Sequence, residues 1–118
     1  MRVKRSIHAR KKRREVLDRT KGYRGEANHN YKRAKEALIK AETYAYRDRR
    51  NRKRDFRRLW ITRINAAAKM NGMSYSQFMH GLSQAGVELD RKVLADIAVR
   101  DADTFRRFAE VAREASTA

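Results

Sequence analysis

Eight basic residues stand within twelve positions, Arg47, Arg49, Arg50, Arg52, Lys53, Arg54, Arg57 and Arg58, against two acidic ones, Asp48 and Asp55. The chemistry open to such a run is phosphate binding, because arginine's planar fork makes bidentate contacts with phosphate oxygens and stacks on bases. An exposed helix ordinarily mixes charges and keeps an apolar side to bury. Here, at 100° per residue, the basic positions surround the axis and no protein face is left to pack. A duplex groove meets one side of a helix, whereas arginines on every side ask for phosphates on every side, as a folded RNA with converging helices supplies. The segment reads as nucleic-acid binding, with RNA favoured over DNA.

Aromatic residues are interleaved with the charge: Tyr23, Tyr31, Tyr44, Tyr46, Phe56 and Trp60. Such rings can stack on unpaired bases, each contact contributing about 1–3 kcal/mol. Tyr23, between Gly22 and Gly25 and flanked by Lys21 and Arg24, is the best placed for it. Trp60 opens an apolar face, so core packing suits it better. A second basic cluster lies upstream in Arg2, Lys4, Arg5, Arg10, Lys11, Lys12, Arg13 and Arg14, with no acidic residue among the first fourteen. A transit peptide or nuclear address fits this cluster only superficially, since the basic character runs on to Arg58 and no secretory apolar region follows. It reads as the basic arm of the mature protein.

Other chemistries find little footing. His8, His29 and His80 are isolated, no cysteine exists to act as nucleophile or thiolate ligand, and no H-E-x-x-H is present. The expectation is a protein that is not an enzyme and holds neither metal nor cofactor. Gly22 and Gly25 lack the strand, lysine and helix of a phosphate-binding loop, and mark a helix break instead. No apolar run approaches the ~18 residues of a spanning helix, so neither a membrane nor a small-molecule substrate is expected. The basic run also lacks the broad apolar side of a membrane-surface or calmodulin-binding helix.

The elements that position these residues follow from the distribution of charge. Of a net +17 over 118 residues, residues 1–60 carry 23 Lys+Arg against 7 Asp+Glu, and residues 61–118 carry 8 against 7. The first half repels itself and gains little by collapsing alone, so its order is expected to need a polyanion. Residues 6–21 can form a short helix, but their few apolar residues (Ile7, Val16, Leu17) also allow an extended state. Between Glu26 and Asn71 there is neither Gly nor Pro, and the composition predicts one long helix of 46 residues, roughly 69 Å.

From Trp60 the pattern becomes Trp60, Ile61, Ile64, Ala67 and Ala68, an apolar face at helical spacing that enters a core. Asn71-Gly72 predicts its stop. Ser74 with Gln77 has capping-box spacing ahead of Tyr75, Phe78, Met79 and Leu82, in a helix ending near Gly86. Asp90 predicts the cap of a helix bearing Val93, Leu94, Ile97 and Ala98; Asp101 or Asp103 predicts that of a last helix bearing Phe105, Phe108, Ala109 and Ala112. The fold class is all-α: a long basic N-terminal helical extension over residues 1–58, broken near 22–25, then a small compact helical domain over residues 59–118.

The stretches Lys21-Gly22-Tyr23-Arg24-Gly25, Tyr44-Ala45-Tyr46-Arg47-Asp48-Arg49-Arg50, Phe56 to Ile61, Arg63-Ile64-Asn65-Ala66-Ala67, Asn71-Gly72-Met73-Ser74-Tyr75 and Leu89-Asp90-Arg91-Lys92-Val93-Leu94-Ala95-Asp96 together resemble the bacterial large ribosomal subunit protein twenty family. The resemblance spans nearly the whole chain. It implies an extension threaded between large-subunit RNA helices, a C-terminal domain seated on the RNA surface, neighbouring large-subunit proteins, a cytoplasmic ribosomal location and an early role in subunit assembly. In some members it also implies repression of the protein's own messenger. Arg91 and Lys92 complete the candidate RNA-contacting set. The reading from another class is a DNA-binding regulator with a basic arm, against which no C-terminal helix concentrates base-reading residues on one face.

Overall fold

A computed structural model describes residues 6–117 of the chain. Among them the regular elements are all helical: α1 (Ser6–Arg19), a 3₁₀ turn (Gly25–Asn28), α2 (Tyr31–Met70), α3 (Tyr75–Gln84), α4 (Arg91–Arg100) and α5 (Ala102–Thr117). The all-α expectation holds. The chain divides into two compact units, one ending at Arg50 and the other beginning at Asn51. The division falls inside α2.

In the first unit α1 lies against the start of α2 with very little apolar matter between them. No residue of α1 is fully buried. Val16 and Leu17 are half-buried, as are Ala37, Leu38 and Ala41 of α2, and among the described residues of this unit only Thr20 and Ala34 are closed off from solvent. The Thr20 hydroxyl donates to the Leu17 carbonyl at 3.2 Å, which satisfies the one buried polar side chain. Polar contacts do the rest: the Arg13 guanidinium sits 5.4 Å from the centroid of the Tyr31 ring, and Arg19 pairs with Glu42. An exposed pair of that kind contributes about 0–1 kcal/mol.

The long helix starts later than its composition predicts. Residues 25–28 are 3₁₀ instead, and α2 begins at Tyr31 and runs for 40 residues. Asn30 decides the start: its side-chain oxygen accepts from the Lys32 amide at 3.1 Å, and its carbonyl accepts from the Ala34 amide at 2.8 Å. Asparagine caps a helix better than it continues one, because its short amide competes for nearby backbone groups.

The second unit has a true core. Ile64 and Ala68 from α2, Met73, Phe78 and Leu82 from α3 and its approach, Leu94 and Ala95 from α4, and Phe105, Ala109 and Ala112 from α5 form one buried cluster, edged by Trp60, Tyr75 and Phe108. The Phe78 and Phe105 rings stack at 4.7 Å between centroids, with 20° between planes. Offset aromatic pairs add about 0.5–1.5 kcal/mol beyond the area they bury. Val93, expected to face inward, is 41% exposed. Leu94 is buried as expected, Ile97 and Ala98 are half-buried, and Ala95 joins Leu94 on the inner face of α4.

Local signals set the turns. The Ser74 hydroxyl accepts from the Gln77 amide at 3.2 Å while the Gln77 side chain accepts from the Ser74 amide at 3.0 Å, a complete capping box. Asp90 and Asp101 cap α4 and α5 by accepting from the Val93 and Thr104 amides at 2.9 and 3.1 Å. After α2 and α3 the chain reverses through Gly72 and Gly86, at φ +80° and +79°. Met73 then donates back to Ala68 and Val87 back to Leu82, both at 3.0 Å. These bonds close the helix ends, and the left-handed position favours glycine because it carries no Cβ.

Gly81 has a different task. It is buried inside α3, and a Cβ there would meet the Ala112 carbonyl oxygen at 2.3 Å. The backbones of α3 and α5 approach so closely only because that atom is missing.

Candidate nucleic-acid interface

A helix becomes a core element where its side chains find cover, and the middle of α2 finds almost none. From Glu42 to Leu59 every residue is exposed except Asn51, which is half-buried. All eight basic side chains between Arg47 and Arg58 therefore stand in solvent. Good helix formers on both sides favour the helical backbone on which the charge is displayed.

The aromatic residues in this stretch are already partnered. The Arg47 guanidinium lies 4.6 Å from the Tyr44 ring centroid, Arg50 lies 4.7 Å from Tyr46, and Arg52 lies 5.4 Å from Phe56. These are i,i+3 and i,i+4 neighbours, brought together by helical periodicity. A cation over a ring face gains about 0.5–1 kcal/mol at an exposed site. The pairing places each guanidinium over a ring. Trp60 packs on the core, with Phe56 tilted against it at 6.2 Å.

The encirclement expected from the spacing is incomplete. On a helix of 3.6 residues per turn, the basic positions from Arg47 to Arg58 cover about 240° and leave a gap of about 120°. Asp48, Asn51 and Asp55 fill that gap, and the Asp48 carboxylate accepts from the Arg47 Nε at 3.1 Å.

Elsewhere the candidate residues divide by surroundings. Arg10, Lys11, Lys12, Arg13 and Arg14 are exposed along α1, with Arg13 held over Tyr31. Lys21 lies 3.6 Å from the Asp18 carboxylate, and Arg24 is exposed. Tyr23 is half-buried, its amide donating to the Thr20 carbonyl at 3.1 Å. Arg91 is half-buried and donates from Nε to the Tyr75 hydroxyl at 2.8 Å, a tie between α4 and α3, while Lys92 is exposed. Arg2, Lys4 and Arg5 lie outside the described residues.

Sequence reasoning passed over Arg63 and Lys69, exposed and basic on the last part of α2. They stand singly among apolar residues, so clustering gave no signal. Three or more His, Cys, Asp or Glu residues able to hold a metal ion do not come together among the described residues. No helix among them is long and apolar enough to cross a membrane.

An all-α chain whose longest helix displays arginine over most of its circumference, beside a small helical core, falls in the class of basic structural proteins. The family model described as Ribosomal protein L20 matches residues 2–108. The chain is 61% identical to the "Large ribosomal subunit protein bL20" of Roseiflexus sp. (strain RS-1), over 97% of each chain. It is 57% identical to the protein of that name from Nitratidesulfovibrio vulgaris (strain DP4), over 96% of this chain and 97% of the other. For Acidithiobacillus ferrooxidans (strain ATCC 53993 / BNL-5-31) the identity is 58%, over 95% and 94%. The chain belongs to the ribosomal protein L20 family: it is a structural protein of the large ribosomal subunit, located with the ribosome in the cytoplasm, and not an enzyme. Nothing in these comparisons supports a DNA-binding regulator.

Proposed function

We infer that the chain binds large-subunit ribosomal RNA by neutralising phosphates where RNA helices crowd together, and that it supports early assembly of the subunit. In this reading residues 1–58 are the RNA-threading extension, and residues 59–118 form the folded domain that fixes its position. Neighbouring large-subunit proteins are the remaining partners. One observation carries the reading: eight exposed basic side chains between Arg47 and Arg58 with no fully buried neighbour, on a regular helix. Beyond propensity such a helix has only exposed ring–guanidinium contacts and one exposed ion pair to stabilise it, and phosphate supplies both attraction and counterion release.

The test replaces Arg49, Arg50, Arg52, Arg54, Arg57 and Arg58 together by Gln, which preserves helix propensity. The variant keeps its C-terminal core and loses most of its affinity for ribosomal RNA. If all six contact phosphates, the slope of log affinity against log salt flattens by roughly 4 to 5 units, at about 0.7–0.9 per contact. Cells relying on the variant accumulate incomplete large subunits in a sedimentation profile. An unchanged slope with normal subunits rules this cluster out as the RNA contact.

A further inference from the structure

Tyr44, Tyr46 and Phe56 are the aromatic residues of the stretch from Glu42 to Leu59, and each has an arginine over its ring. Cation–π pairs of energetic weight occur roughly once per 70–80 residues. Here three arginine pairs fall between residues 44 and 56, so the pairing belongs to the basic run and not to an average surface. Each pair lies within one unit: Tyr44–Arg47 and Tyr46–Arg50 in the first, Arg52–Phe56 in the second.

The pairing leaves the hydrogen-bonding capacity of these cations open. Among the described residues the arginines that donate side-chain hydrogen bonds are Arg19, Arg47, Arg91 and Arg113. Arg50 and Arg52 are not among them, and neither forms an ion pair with a described residue. Their N–H donors therefore remain for an outside acceptor. Ordering an exposed arginine costs as much rotamer freedom as ordering any side chain. A guanidinium already restricted by a ring loses less of that freedom when a phosphate arrives. A base stacking on the same ring face would instead displace the guanidinium.

Resting on the RNA-binding reading above, we propose that Tyr44, Tyr46 and Phe56 are positioning residues that order the guanidiniums of Arg47, Arg50 and Arg52 for phosphate, and that they do not themselves stack on RNA bases. The rings thus act on RNA through arginine. Removing one lowers affinity without removing a phosphate contact, so the salt dependence of binding stays as it was.

Tyr46 with Arg50 gives the cleanest test. Tyr44 is shared with Lys40, and Phe56 is tilted against Trp60 at the edge of the core, whereas Tyr46 is 56% exposed. A double-mutant cycle on the full chain measures affinity for large-subunit ribosomal RNA across a salt series. Circular dichroism checks that the helix is kept. Tyr46→Leu, which retains helix propensity, weakens binding by about two- to fivefold with an unchanged salt slope. Tyr46→Phe keeps the ring and binds like the native chain. Arg50→Gln weakens binding and flattens the slope by about 0.7–0.9, the loss of one contact. Adding Tyr46→Leu to Arg50→Gln costs nothing more, because the ring has lost the group it acts through. A Tyr46→Leu loss that persists beside Arg50→Gln assigns the ring to a base and overturns the proposal. So does Tyr46→Leu with no loss in the native chain, or Tyr46→Phe that binds as weakly as Tyr46→Leu. Arg50→Gln with unchanged affinity and slope overturns the RNA reading at this position instead, and the ring's role with it.

Discussion

The two units of this chain are both helical, yet they are held by different physics. Among its described residues, the unit ending at Arg50 closes only Thr20 and Ala34 off from solvent and adds exposed ion pairs and ring–cation contacts. The unit beginning at Asn51 buries ten residues in one cluster, with a stacked phenylalanine pair at its centre. Helical backbone is therefore a poor guide to stability. An α-helix in water is marginal below ~12–15 residues unless an apolar face is covered, and α1 has 14 residues and little cover. What the first unit lacks in burial it has in charge, which becomes stabilising once a polyanion is present.

The largest consequence is in local opening. Amide hydrogens of α1 in the free full-length protein are expected to exchange at rates near those of an unstructured helix. Those of α3 and α5 are expected to be slower by about a thousandfold, the factor that a few kcal/mol of cooperative stability produces. Adding large-subunit RNA should narrow the difference by slowing α1. Comparable protection of α1 and α5 without RNA would break the comparison.

Two substitutions sharpen it within the second unit. Phe78→Ala empties a fully buried site against Phe105 and is expected to destabilise the unit by about 3–5 kcal/mol, enough to unfold one of this size. Denaturant unfolding of the full chain, followed by circular dichroism, should lose its cooperative transition. Gly81→Ala works in the opposite direction, adding a methyl where Ala112 leaves no room. Overpacking costs about 1–3 kcal/mol, so this variant should melt lower yet still fold. A melting point unchanged by Gly81→Ala would mean α3 and α5 part easily.

The contrast between the units was largely legible in the sequence because it depends on local patterns. Charge per segment, the Ser74–Gln77 box, Asp90 as a cap and the i,i+3,i+4 spacing around Phe78 and Phe105 are short-range, and the structure repeats them. Gly81 was not legible: its missing Cβ matters only once α5 is placed opposite it. The start of α2 at Tyr31 was hidden because composition over a long window outweighs one asparagine, although a cap needs only one. Val93 and Leu94 are adjacent, and spacing alone does not choose which turns inward. The charge gap on α2 was present in the spacing, but eight basic residues in twelve draw the eye from the three that are not.

The smallest expected effect concerns how the second unit starts its last helix. Asp101 has a carboxyl pKa held below its usual value of 3.8, first by the hydrogen bond from the Thr104 hydroxyl and then by that from the Thr104 amide. A carboxyl whose folded pKa is depressed binds its proton more weakly folded than unfolded. Its contribution to stability is therefore complete above the unfolded pKa, near 4, and is lost as pH falls through the folded pKa. Asp101→Asn keeps a side-chain oxygen for the Thr104 amide, since asparagine caps about as well as aspartate. It removes the charge that the Thr104 hydroxyl and the α5 dipole favour. Melting temperatures of the two proteins should differ slightly at neutral pH, with the native chain higher. The difference should shrink below about pH 4 and vanish once Asp101 is protonated in both states. Other carboxylates titrate in the same range, but they do so in both proteins, and the difference isolates Asp101. A gap that persists at low pH would assign the cap's worth to geometry instead of charge, and electrostatics would then matter to the first unit far more than to the second.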